Sequence, residues 1–233
     1  MLTFPAKSHL LPANAKKPIR LHRELADNWT NKYPMLKTNK IIASIILVLI
    51  GHLSFSQQLS MDFENLISDE NPYGKLNPAA PRSVGDYEPL IGICDCKSTS
   101  RKADQSWAEP IDMTWTFKYI MNGMAVQDET LKADGAHSGS IRQYSTDSAR
   151  WYVHYYSTST STPTLGAWEG YLQDNGEMIL YRKQQSPNGL DGFFKIRFYD
   201  ISDDGFNWIG AWVTTDESFS YETWRIDCTK RKE

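Results

Sequence analysis

Histidine and cysteine are scarce in this 233-residue chain, which has five of the first and three of the second. Beyond position 56 only His137 and His154 remain, neither beside a cysteine, so the donor set of a zinc site is not expected. There is no Ser-His-Asp order with a nucleophile elbow, no His-rich metal spacing and no phosphate-cradling glycine loop. The familiar hydrolytic, metal-dependent and nucleotide chemistries therefore lack their residues. Collagen-like and coiled-coil biases are absent, and 40% hydrophobic with 23% charged residues excludes wholesale disorder. An excess of positive charge is missing too. The net charge is −3, but residues 1–56 hold eight Lys/Arg and two Asp/Glu, which leaves 17 basic and 26 acidic residues after them. A body that acidic repels nucleic acid and anionic membranes.

A long apolar run is also lacking. Ile41–Phe55 is the longest stretch, and its fifteen residues make a helix of roughly 22 Å, short of the roughly 30 Å hydrocarbon core. The basic segment Met35–Lys40 precedes it, and Ser54-Phe55-Ser56 places small residues before Gln57. Together they read as a signal peptide over 35–56, with 1–34 as upstream sequence from a mis-assigned start. The expected product is secreted or periplasmic, with no stable membrane association after cleavage. Retention as a single-pass anchor through Ile41–Phe55 is the alternative. Export bears on the cysteines: Cys94 and Cys96 share one face of a strand and cannot readily bond each other, so either one is a candidate partner for Cys228. Three buried thiols are the alternative.

What is present is alternation. In 57–89, Leu59, Phe63, Leu66 and Ile67 have helical spacing up to Asn71-Pro72, which predicts a short amphipathic helix followed by a Pro/Gly/Asn-rich linker. From Leu90 the period becomes two. Met113, Trp115, Phe117 and Tyr119 alternate with polar residues and run into Met121-Asn122-Gly123, a hairpin signal. Similar units follow at 124–132, 138–145, 150–158, 165–173, 177–185, 192–201, 206–215 and 219–228. With 90–98, ten strands of about nine residues are expected, joined by short turns. The simplest way to remove their edges is an all-β, antiparallel up-and-down barrel. A two-sheet sandwich is the alternative.

Five segments recur in a familiar order: Leu90-Ile91-Gly92; Ile141-Arg142-Gln143-Tyr144 ahead of Trp151; Trp168-Glu169-Gly170; Phe198-Tyr199-Asp200-Ile201 with Phe206-Asn207-Trp208; and Trp224-Arg225-Ile226. On these residues, 90–230 resembles an uncharacterised bacterial lipocalin-like family of the calycin superfamily, a domain of unknown function. The resemblance implies a calycin-type barrel with an apolar cavity and supplies no catalytic residues and no cofactor. The chain departs from the lipocalin pattern at both ends. Gly92-Ile93-Cys94 stands where Gly-x-Trp places a plugging tryptophan, and Asp216-Glu217-Ser218-Phe219 stands where a Gly-rich turn precedes the last strand.

The seven tryptophans beyond position 56 suit an apolar pocket or a filled core. Arg142, Arg182, Arg197 and Arg225 lie mid-strand. One phase turns Tyr152, His154 and Tyr156, with Glu169 and the arginines, inward as a polar network. The other lines the interior with Trp151, Val153, Tyr155, Ile196 and Phe198 and leaves the arginines solvated. Arg142 is expected inside on the recurring pattern. The candidate ligand-binding residues are Arg142, Tyr144, His154, Tyr156, Trp168 and Glu169, although Trp168 and Glu169 cannot both face inward on a regular strand. An inward arginine needs a carboxylate, from Glu169 or from the head group of a bound acid. His154, between two tyrosines, suits a hydrogen-bonded wall residue better than a haem ligand. The expected function is binding of a small hydrophobic or amphipathic molecule. The alternatives are a structural or interaction module with a filled core, and a hydrolase or isomerase using an interior Arg/Tyr/Glu/His set.

Overall fold

The computed structural model describes residues 63–159 and 161–232. The signal peptide expected at 35–56 and the expected upstream segment lie outside these residues, as does the first part of the amphipathic stretch.

Period-two alternation yields ten strands: β1 (Gly92–Ser100), β2 (Ile111–Ile120), β3 (Ala125–Lys132), β4 (His137–Ser145), β5 (Arg150–Ser157), β6 (Gly166–Leu172), β7 (Met178–Lys183), β8 (Gly192–Ser202), β9 (Gly205–Thr214) and β10 (Ser220–Lys230). Each pairs antiparallel with its neighbours in sequence, and β1 also pairs with β10, closing the barrel. Closure leaves no unpaired strand edge. Expected and observed boundaries differ by two residues or fewer at most ends, because turn chemistry marks them. At Met121-Asn122-Gly123 all three residues have positive φ, a conformation that favours asparagine and glycine.

The first and last strands are stapled where they meet. Cys96 lies directly opposite Cys228 in the β1–β10 register, with 4.1 Å between their Cα atoms, and the two form a disulfide. Cys94, two residues away, stays a free, buried thiol. Of the two candidate partners for Cys228, closure in this register selects Cys96.

The segment before β1 corrects the linker expectation. Residues 63–71 form turns rather than a helix, with Phe63, Leu66 and Ile67 exposed. Residues 71–80 run along the β2–β3 hairpin: the Tyr73 carbonyl accepts from Tyr119 N at 2.8 Å, and Asn77 donates through Nδ2 to the Asn122 carbonyl at 2.9 Å. A 3₁₀ helix follows at Arg82–Leu90, flanked by Pro81 and containing Pro89. Three residues per turn put Val84, Tyr87 and Leu90 on one face, and all three are buried in the barrel end. Tyr87 meets Trp151 edge-on at 4.7 Å between centroids and also packs on Phe117 and Phe198. The end that lacks a first-strand tryptophan is thus closed by a tyrosine from outside the sheet. At the opposite end, side chains replace the missing glycines of the last turn. The Asp216 carboxylate accepts from Thr214 Oγ1, Ser218 N and Ser218 Oγ, and these bonds hold its pKa down at about 2.

Candidate functional site

The interior phase is set by which alternate residues are large and apolar. Trp115, Phe117, Trp151, Val153, Leu180, Phe198, Phe206 and Ile226 are buried in one core. This is the phase in which Trp151, Val153 and Tyr155 face in with Ile196 and Phe198, and Arg142 faces in with them.

Arg142 is 3% exposed and stands diagonally across the β3–β4 pair from Asp128, which is 2% exposed. Its Nε and Nη2 donate to Asp128 Oδ1 at 2.8 and 2.6 Å, and its Nη1 donates to the Tyr87 hydroxyl at 3.0 Å. The other carboxylate oxygen accepts from Trp115 Nε1 at 2.9 Å. Burial alone would lower the Arg142 pKa, but the Asp128 charge and the Tyr87 hydroxyl more than offset it and the net direction is upward. Burial raises the Tyr87 pKa against the pull of Arg142, so the hydroxyl stays neutral. The cluster locks the 3₁₀ plug to the barrel wall. Its ionic groups bond to one another, and the guanidinium is sandwiched against Tyr87, Phe117 and Phe198.

Beyond this cluster, towards the unplugged end, lies a cavity of about 260 Å³. At about 30 Å³ per water, that is space for about nine waters or an occupant of about ten non-hydrogen atoms. Trp115, Trp168, Trp208, Trp224, Phe194 and Leu180 form its apolar wall, and Thr130, Ser138 and Ser140 its hydroxyl side. Thr130 Oγ1 and Ser138 Oγ bond each other at 2.6 Å, while Trp224 Nε1 donates to Ser98 Oγ at 2.8 Å. Arg182, at the end of β7, also lines the cavity. Its guanidinium carbon lies 4.2 Å from the Trp168 ring centroid, and Nη2 donates to the neutral Gln184 Oε1 at 2.6 Å. Burial, with no nearby carboxylate, pulls its pKa down. The buried Trp168 Nε1–H has no hydrogen-bond partner among the described residues.

The expected site residues therefore divide. Arg142 and Trp168 line the cavity. Tyr144 faces the interior at the plugged end, edge-on to Trp151 at 5.7 Å, outside the cavity. His154, Tyr156 and Glu169 are corrected to the outer face. Glu169 follows inward Trp168 and pairs with Arg150 at 3.0 Å, both side chains well exposed. His154 and Tyr156 alternate with the inward Val153 and Tyr155, and the Tyr156 hydroxyl accepts from Gln127 Nε2 at 2.8 Å. The Arg/Tyr/Glu/His set needed for interior acid–base chemistry is not assembled. His154 points away from any interior haem, and among the described residues no three His, Cys, Asp or Glu side chains converge.

Two features were not anticipated, the Asp128 partner of Arg142 and the Tyr87 plug, and Arg182 faces inward although the phase with Trp151, Val153 and Tyr155 inside was expected to leave it solvated. Val84, Tyr87 and Leu90 recur at period three after Pro81, the spacing that puts side chains on one face of a 3₁₀ helix. Arg182 continues the alternation of Met178 and Leu180, both buried. Asp128 likewise continues the inward row of Val126.

No family model matches the chain, and no curated protein does. Among solved structures it is similar to the S-type phycobiliprotein lyase CPES from Guillardia theta, with a TM-score of 0.41 and 10% identity over 63% of this chain and 91% of that one. It is also similar to Rv2717c from M. tuberculosis, with a TM-score of 0.44 and 9% identity over 66% of this chain and 99% of that one. What is established for this chain is its own architecture, a closed ten-stranded antiparallel barrel with an aromatic-lined interior.

Proposed function

We propose that this chain is an exported, lipocalin-like barrel that binds a small hydrophobic or amphipathic molecule in its interior. The cavity carries this reading. It lies between the plug and the open strand ends, its walls are mostly apolar, and its polar groups are few, gathered on β3 and β4 apart from Arg182 on β7, the composition of small-molecule sites. Its size favours an occupant of about ten non-hydrogen atoms over a tetrapyrrole or a long acyl chain. The segment joining β5 to β6, described at 158–159 and 161–165, lies at the open end and is the natural rim of a portal. Export is supported by the basic-apolar-small leader at 35–56 and by the Cys96–Cys228 disulfide, a bond that persists in oxidising compartments. No described helix is long and apolar enough to cross a membrane.

The test is native against denaturing mass spectrometry of the chain exported by a bacterial host. Extra mass that leaves on denaturation, on a protein beginning at Gln57, is the expected result. A bare mass that stays bare after incubation with short-chain acids, alcohols and lipid extracts would overturn the reading. One observation favours a second reading, a filled-core module: the plugged half is solidly packed with Tyr87, Phe117, Trp151, Phe198 and Phe206. The bare-mass result would select it.

A further inference from the structure

Two arginines reach the barrel interior, and their circumstances are opposite. Arg142 is fully buried and its charge is answered by Asp128. Arg182 lines the cavity half-buried, and its one side-chain hydrogen bond goes to neutral Gln184. No Asp or Glu among the described residues forms an ion pair with it, whereas Arg150, Arg197, Arg225 and Arg231 on the outer face all pair with carboxylates. A guanidinium offers five N–H donors in a planar fork, so most of the Arg182 set is unanswered. The Trp168 ring centroid lies 4.2 Å from its guanidinium carbon, and the Trp168 Nε1–H is itself buried without an acceptor among the described residues. The cavity contains one carboxylate, Asp128, with both oxygens engaged by Arg142 and Trp115. This wall is rich in donors and poor in acceptors.

We propose that the occupant carries a carboxylate, received by Arg182 at the open end of the cavity, with its apolar body against Trp208, Trp224, Phe194 and Leu180. This rests on the interior-binding reading above and names the ligand class: a small amphipathic organic acid. A planar two-oxygen anion matches the fork, and a partly desolvated cation without a counter-charge gains most from one. Burial that lowers the pKa of Arg182 has the same origin and is relieved by the same anion. Arg142 fixes the far end of the cavity as already neutralised, so the head group lies at the portal and the tail points inward.

The experiment uses the oxidised, exported protein and two probes of ten non-hydrogen atoms each, octanoate and octanamide, with affinities read by calorimetry and tryptophan fluorescence. Octanoate is expected to bind about tenfold to a hundredfold more tightly than octanamide, the range of a charge-assisted hydrogen-bond pair. In Arg182→Gln that preference should vanish, octanoate affinity falling to the level of octanamide. Arg182→Lys should keep part of the preference, because the charge remains and the fork is lost. Equal binding of the two probes to the unsubstituted protein, or a preference that survives Arg182→Gln, overturns the carboxylate assignment and leaves interior binding standing. Failure of both probes to bind overturns interior binding itself. If Arg182→Gln loses octanamide as well and its urea midpoint falls, Arg182 is a structural residue and the assignment is overturned.

Discussion

Asp128→Asn is the substitution that most directly tests how the plugged half of the barrel is held. The aspartate is 2% exposed, and both its oxygens are in use: Oδ1 takes two donors from Arg142 and Oδ2 takes Trp115 Nε1. Asparagine has the same shape but one carbonyl oxygen and no charge. It can answer Arg142 or Trp115 and must turn an N–H₂ group towards the other. The guanidinium charge is then left in the core without a counter-charge, with only neutral acceptors and three aromatic rings around it. Removing one partner of a buried ion pair costs about 3–5 kcal/mol, whereas the intact pair contributes little beyond a well-packed apolar replacement. At a urea m-value of about 2 kcal/mol/M, the midpoint should fall by about 1.5–2.5 M with the slope unchanged. Adding Arg142→Gln should cost far less than its effect alone, since most of the penalty is the stranded charge. A midpoint within about 0.5 M of the unsubstituted protein, by the same yardstick, would show that water reaches the Arg142 guanidinium and that the cluster is not the lock described here.

Gly170 lies on β6 where an added Cβ would stand 1.9 Å from the Ile179 carbonyl oxygen, so Gly170→Ala should destabilise by about 3 kcal/mol or more, read from the same urea curves. Glu169→Gln, which breaks only an exposed pair with Arg150, should leave the urea midpoint and octanoate affinity unchanged; a loss of affinity would place Glu169 in the cavity after all. Mass spectrometry of the iodoacetamide-treated protein should show no label on the native form, one after denaturation and three after denaturation with reduction. Burial pushes the Cys94 thiol up to about 11, above its ordinary value of 9.0. The unfolded thiol ionises first, so this group's contribution is constant below the unfolded value and stability falls as pH rises from there through the folded one, which alkaline urea titrations of Cys94→Ala against the parent would isolate.

Strand number, hairpin order and closure were legible because each depends on local chemistry. Alternating aromatics set the pleat, Asn-Gly and Asp-Gly mark the turns, and ten hairpin-linked strands dispose of their edges most simply by joining the first to the last. The signal peptide expected at 35–56 rests on a basic, apolar and small-residue order and lies outside the described residues. Burial phase was a different matter. Period two permits either face inward, and only the summed packing of Trp115, Phe117, Trp151, Phe198 and Phe206 in one interior decides it. That decision turns His154, Tyr156 and Glu169 out and brings Arg182 in. Register, likewise, is a property of paired strands: it places Cys96 rather than Cys94 opposite Cys228, and Asp128 diagonal to Arg142. The plug lay furthest from view. A period-three pattern of three residues after a proline gains meaning only once a barrel exists with an empty end for Tyr87 to fill.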